Sequence, residues 1–162
     1  MVIPYNLTDT TELYELLSSV TDPEIPVLTL RDLGVLRDIN IIDDEIMVTI
    51  TPTYAGCPAL ETMRADIERV LRDAGHHRVS GRQRLSTAWP PDWMSEEGRQ
   101  KLRDYGIAPP ACRSDEKFTS PIACPQCGSE DTAKISEFGS TACKALYQCQ
   151  SCREPFDYFK CL

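Results

Sequence analysis

Two cysteine pairs dominate the chemistry this chain can offer. Cys124-Pro-Gln-Cys127 and Cys149-Gln-Ser-Cys152 form a CxxC…CxxC pattern with 21 residues between the pairs. Each CxxC can fold into a tight knuckle whose turn amides face the sulfurs. Two knuckles at the ends of a β-hairpin bring four thiolates into a tetrahedron, which suits zinc. The gap slightly exceeds the usual ~15–20 residues, which a longer hairpin accommodates. A tail of about 40 residues is too small to fold on its apolar core alone, so a structural zinc is favoured over redox or iron–sulfur use of these sulfurs. Cys143 and Cys161 lie in the same tail. Either six cysteines compete for four positions or, the reading we prefer, two pack as small apolar side chains.

Cys57 is the one cysteine of the first 110 residues. It stands just before Pro58, where the N-cap of a helix is expected. The helix dipole and unpaired backbone amides stabilise a thiolate there. A thiolate is both a nucleophile and a soft metal ligand, and the flanking Gly56 lets the backbone approach a partner closely. His76 and His77 fall at the far end of the same helix, so no Cys/His nucleophilic pair is expected. Cys57 therefore suits holding or passing on a soft metal better than hydrolysis. Its position alone leaves a buried structural role and a functional role equally open.

The elements that position these residues follow from the pattern. Asp9-Thr-Thr-Glu12 reads as a capping box before a helix carrying Leu13, Leu16, Leu17 and Val20. Pro23 and Pro26 end it. A short turn through Asp32-Leu33-Gly34 leads to a strand over 35–42. Asp43-Asp44 turns the chain into a second strand carrying Ile46, Val48 and Ile50. Leu60, Met63, Ile67, Val70, Leu71 and Ala74 trace one helix face, and Gly75 caps its end. Residues 79–89 read as a third strand. Ser95 caps a short helix that Gly106 closes. The order helix, β-hairpin, helix, strand, helix predicts a small mixed α/β domain over residues 8–107. Residues 108–121 read as a linker, with Cys112 as an exposed spare thiol. An all-β zinc ribbon is expected over 122–162. Its strands are 132–137, 144–148 and 156–160, with Gly139-Ser140 at the turn. Its Phe156 and Tyr158 suit an exposed recognition face and a core position equally.

Composition narrows the function classes. The formal charge is −8, which argues against non-specific binding of nucleic acid. Residues 1–62 hold eleven acidic and two basic residues, a solvated face or a surface for a basic partner. No apolar run approaches a membrane span, and residues 1–10 show no secretory pattern, so a cytoplasmic location is expected. Cysteines in such a chain are more often metal ligands or reactive thiols than disulfides. The sequence shows no His/carboxylate cluster for a di-iron site, no GxGxxG and no Walker motif, so direct catalysis is not expected.

Asp22-Pro-Glu24-Ile25, Asp32-Leu-Gly34 and Thr53-x-x-Gly-Cys57-Pro58 resemble the metal–sulfur cluster assembly family that includes SufT-like proteins. The resemblance covers roughly residues 8–90. It implies a functional cysteine at Cys57, with Asp22 and Glu24 shaping the neighbouring loop, and a transient iron or iron–sulfur cargo. Asp22–Leu28, Thr51–Pro58, Asp92-Trp-Met94, Tyr105-Gly-Ile107, Ile135–Leu146 and Arg153–Cys161 resemble a second family over nearly the whole chain, the D components of bacterial phenylacetyl-CoA epoxidase systems. Such a system is a multicomponent monooxygenase of phenylacetate breakdown. Its oxygenase carries a di-iron centre, and its reductase carries flavin and a [2Fe–2S] cluster. The resemblance implies an accessory maturation factor whose partners are the oxygenase or reductase components and the iron–sulfur assembly machinery. The alternative it allows is a standing non-catalytic subunit. It also gives some weight to a role for Cys143 and Cys161 as additional thiols.

Overall fold

The structure is a computed structural model, described for residues 9–112 and 120–161. Its chain forms two compact units, Met1–Ala88 and Trp89–Leu162.

In the first unit, Asp9 caps helix α1 (Thr10–Leu17), its carboxylate accepting the Thr11 N–H at 2.9 Å. Leu13 and Leu17, one turn apart, are fully buried. The segment 32–34, expected as a plain turn, belongs to a one-turn helix, α2 (Leu30–Leu33). Thr29 and Asp32 form a reciprocal capping box there. Gly34 ends α2 at φ 70°, a left-handed conformation that costs glycine little. Strands β1 (Leu36–Ile42) and β2 (Glu45–Ile50) pair antiparallel with Ile42 opposite Glu45. Asp43 and Asp44 make the two-residue loop, both at positive φ, as a twist-matched hairpin turn requires. Helix α3 (Leu60–Asp73) then carries the chain to β3 (Val79–Gln83), which pairs parallel to β2. Leu60, Met63, Ile67 and Leu71 are buried along one α3 face. Ile39, Ile46, Val48 and Ile50 of the sheet are buried with them. The third strand stops at Gln83, short of the predicted end at Trp89, and residues 84–88 are exposed.

The second unit begins with Trp89, which is buried and has its ring 5.8 Å from that of Phe159. A 3₁₀ turn (Pro91–Trp93) precedes α4 (Glu96–Asp104), whose cap is Ser95, accepting the Gly98 N–H. Strands β4 (Ile107–Ala108), β5 (Thr132–Ser136), β6 (Lys144–Cys149) and β7 (Pro155–Phe159) form one sheet in the order β4-β7-β6-β5. The sequence places α4 in the first domain and starts a linker at 108. In the structure the compact units divide at Ala88/Trp89 instead. The physical reason is burial and pairing. Leu102 and Ile107 are buried, β4 pairs parallel to β7, and the Arg99 guanidinium donates to the carbonyls of Pro91 and Pro110. Among the described residues, no helix is long and apolar enough to cross a membrane.

Candidate metal centre and cysteine loop

The two knuckles are built alike. Cys124 N–H donates to Ser129 O at 2.9 Å, and Cys149 N–H donates to Glu154 O at 3.0 Å. Gly128 N–H returns to Cys124 O, and Arg153 N–H returns to Cys149 O. Both Gly128 and Arg153, each next after a second cysteine, have left-handed φ. The hairpin β5–β6 and a bond from Gln150 N–H to Asp131 O hold the knuckles together.

The four sulfurs all lie within 4.8 Å of one another. Cys124 Sγ and Cys152 Sγ are 3.7 Å apart, and Cys127 Sγ and Cys149 Sγ are 3.5 Å apart. A tetrahedron with Zn–S bonds of ~2.3 Å has edges of ~3.8 Å, so the set fits a four-thiolate metal site. Cys124 and Cys149 are buried, Cys152 is half-buried and Cys127 is exposed. The Cys152 N–H donates to Cys149 Sγ, and this bond is the main cause that lowers the Cys149 thiol to about 6. At Cys152 the Glu154 amide pulls the thiol down, but burial and the three neighbouring sulfurs outweigh it and push it to about 12. Such crowding disfavours four thiolates by themselves. A divalent cation supplies the charge that lets all four ionise.

The other cysteines of the tail stand apart from this group. Cys143 is buried, with its Sγ 3.0 Å from Thr141 Oγ1 and its carbonyl accepting the Lys160 N–H. Cys112 and Cys161 are joined in a disulfide with their Cα atoms 6.2 Å apart. This overturns the expectation of Cys112 as a spare thiol, and Cys161 is neither an additional thiol nor a small packed side chain. The sequence hides the pair because 49 positions separate its members and the intervening fold brings them together.

The two aromatics weighed as a recognition face are core. Phe156 and Tyr158 are 4% and 7% exposed, in the same apolar cluster as Cys124 and Cys149. Among the described residues, the large exposed apolar side chains of the ribbon are Phe138, at 65%, and Ile135, at 55%. Lys160 Nζ lies 4.5 Å from the Phe138 ring centre and donates to Glu137 O.

In the first unit, Cys57 is half-buried on the 51–59 loop. Its N–H donates to Tyr54 O and its carbonyl accepts the Leu60 N–H, both at 3.3 Å. The cap of α3 is Ala59, with no side-chain cap bond, so Cys57 lies two residues before the observed N-cap position. Pro58 and Ala59 turn the chain once before the helix starts, which displaces the cap. Asp22 is 7% exposed, and its Oδ1 accepts the N–H groups of Glu24 and Ile25 at 2.8 and 2.7 Å. This carboxylate holds the Asp-Pro-Glu-Ile-Pro turn in shape, with Glu24 half-buried on it. Val35 O accepts the Thr51 N–H, so the segment after that turn is tied to the start of the Cys57 loop. Thr51 carries a further polar group that sequence reasoning missed. Its hydroxyl is buried with no hydrogen-bond partner among the described residues.

Similarity to known proteins follows the same division. Residues 10–80 match the family described as iron-sulfur cluster assembly protein, and residues 108–160 match the PaaD zinc beta ribbon domain. A curated relative is the D component of the 1,2-phenylacetyl-CoA epoxidase of Escherichia coli (strain K12). It is 49% identical over 152 residues, which are 93% of this chain and 92% of that protein. The Fe-S protein maturation auxiliary factor of Porphyromonas gingivalis (strain ATCC BAA-308 / W83) is 31% identical over 93 residues, 56% of this chain and 88% of that protein. Among solved structures, a domain of unknown function DUF59 from Bacillus anthracis superposes with a TM-score of 0.53 at 24% identity. It covers 57% of this chain and 89% of its own, a likeness of fold. With near-full-length identity of this size and a ribbon that matches the same family's own, the chain belongs to the family of phenylacetyl-CoA epoxidase D components.

Proposed function

We propose that this protein is an accessory maturation factor that helps assemble an iron or iron–sulfur centre in a phenylacetyl-CoA epoxidase. The observation that carries the proposal is Cys57, half-buried on a loop of the unit that matches an iron–sulfur assembly family. The maturation factor of Porphyromonas gingivalis supports the same direction. Cys57 acts as the transient ligand. Its sulfur, once deprotonated, binds the iron of the cargo and releases it to ligands of the client, with no net change in oxidation state. Asp22 and Glu24 shape the adjoining segment. The four ribbon cysteines, Cys124, Cys127, Cys149 and Cys152, hold a structural zinc, which supplies cross-linking of the two knuckles and no chemistry on the cargo. Catalysis of epoxidation then belongs to other components.

A factor of this kind acts before turnover. Oxygenase and reductase components produced together with it, then purified away from it, are expected to hold normal iron and sulfide and to epoxidise phenylacetyl-CoA. Components produced without it are expected to be short of iron or cluster. The Escherichia coli relative is named as a part of the epoxidase itself, which favours a second reading, a standing non-catalytic member of the oxygenase complex. Metal-replete components whose activity returns on simple addition of this protein would establish that reading instead.

A further inference from the structure

The Cys112–Cys161 bond sits at the end of a clamp. Strand β4 pairs parallel to β7 through Ile107–Asp157 and Ala108–Tyr158. Three residues past Ala108, the Ala111 N–H donates to Tyr158 Oη at 3.1 Å. Cys112 follows at once, bonded to Cys161. Tyr158 Oη also lies 3.4 Å from Cys161 Sγ. A disulfide sulfur carries no hydrogen, so in this contact the phenol O–H donates to Cys161 Sγ while the phenol oxygen accepts from Ala111. The disulfide closes a stretch of chain that contains all four cluster cysteines. Tyr158 packs in one apolar cluster with Cys124 and Cys149, and Ala111 packs against it. Both bonded cysteines are half-buried, so small reagents can reach them.

We propose that Cys112 and Cys161 form a reversible thiol–disulfide site whose oxidised form locks the ribbon closed around its four-cysteine cluster. Oxidation takes two electrons and two protons from the thiols. A low-molecular-weight disulfide accepts them and leaves as two thiols. In the reducing direction, a small-molecule thiolate attacks Cys112 Sγ, the bond between the cysteines breaks and Cys161 leaves as a thiolate. The Tyr158 hydroxyl stabilises that leaving sulfur. A second small thiol then resolves the mixed disulfide, freeing Cys112 and releasing the small-molecule disulfide. The reduced form keeps β4 against β7 by a short parallel pairing and the Ala111–Tyr158 hydrogen bond, without the covalent tie, so the clamp opens more often.

The test uses the full-length, zinc-loaded chain equilibrated in glutathione buffers of graded ratio. Thiols are trapped by alkylation and mapped by peptide mass. Cys112 and Cys161 are expected to convert together, while the cluster cysteines stay protected. Zinc loss to a chromogenic chelator is expected to be at least about tenfold slower in the oxidised form. Amide exchange at Ile107, Ala108 and Ala111 should slow in parallel. The double variant Cys112→Ser, Cys161→Ser should behave as the reduced form in every buffer. The proposal is overturned if the pair stays alkylatable in fully oxidised glutathione or stays bonded in fully reduced glutathione. Equal zinc loss and equal amide exchange in the two forms would also overturn it. Tyr158→Phe, which keeps the ring, should slow reduction; an unchanged rate would overturn the assignment of Cys161 as the leaving sulfur.

Discussion

Cys57 and Cys149 are the same side chain in opposite settings. Cys149 is buried, accepts an amide N–H on its sulfur and has three other sulfurs within 4.8 Å. Cys57 sits half-buried on a loop, outside that sulfur group. The first setting gains by permanent cross-linking and loses by release. The second suits a ligand that must let go. The two units differ in the same sense. The first unit buries a continuous set of leucines, isoleucines and valines between α1, α3 and its sheet. The ribbon's apolar cluster counts two of its own metal-site cysteines among its members. One unit is built around its apolar core and the other around its cysteines. Under the proposed function the transfer chemistry falls to Cys57, half-buried on a loop, whereas Cys143, which also stands outside the four-sulfur group and the disulfide, is buried.

The largest effect should come from removing the cross-link. Stripping a structural zinc removes binding energy on the order of 10–16 kcal/mol that is coupled to folding, and Cys149→Ser, which takes away one of the four ligands, removes part of it. The ribbon is expected to lose its protected amides while those of α3 and β2 remain, read by hydrogen exchange together with zinc content. Loss of protection in both units at once would break the contrast. The complementary change is Ile67→Ala on the buried face of α3, expected to cost about 2–5 kcal/mol. It should lower the denaturation midpoint of the first unit and leave zinc content at one per chain.

Smaller effects sharpen the account. A Cβ on Gly139 would collide with the Asp157 carboxylate, and that carboxylate also accepts from Ser140 Oγ and lies 3.9 Å from Lys144 Nζ. Gly139→Ala is therefore expected to cost about 1–3 kcal/mol, measured by thermal unfolding of the zinc-loaded chain. Asp22→Ala strands two N–H donors, the Ile25 one buried, and should cost about 1–3 kcal/mol. Asp22→Asn retains an acceptor oxygen and should cost less. If Asn is as damaging as Ala to stability, the carboxylate does more than hold the turn.

Much of this was legible in the sequence because local rules decide it. The CxxC pairs, the caps at Asp9 and Ser95 and the Asp43-Asp44 hairpin each depend on a few adjacent residues, and the structure has all of them. What failed or stayed open depends on partners distant in sequence. Ile107 reads as the end of the first domain and Ala108 as the start of a linker until β7 is there to pair with them. Phe156 and Tyr158 alternate as one strand face, but only the packed sheet decides that this face is inward. The proline and alanine after Cys57 shift the helix start, within the range where capping signals are least specific. The Cys112–Cys161 bond is of the same kind, invisible to any spacing rule.

The central claim is that the thiol of Cys57 serves the client and not the fold, and one comparison tests it most directly. Cys57→Ala, a half-buried position outside the helix cap, should change stability by under about 1 kcal/mol. The epoxidase components would be produced alongside either the unchanged protein or this variant, purified away from it and analysed for iron and sulfide. The account predicts a folded, zinc-loaded variant whose companion components are as metal-poor as those made with no factor at all. Components made beside the variant with full iron and sulfide would contradict it.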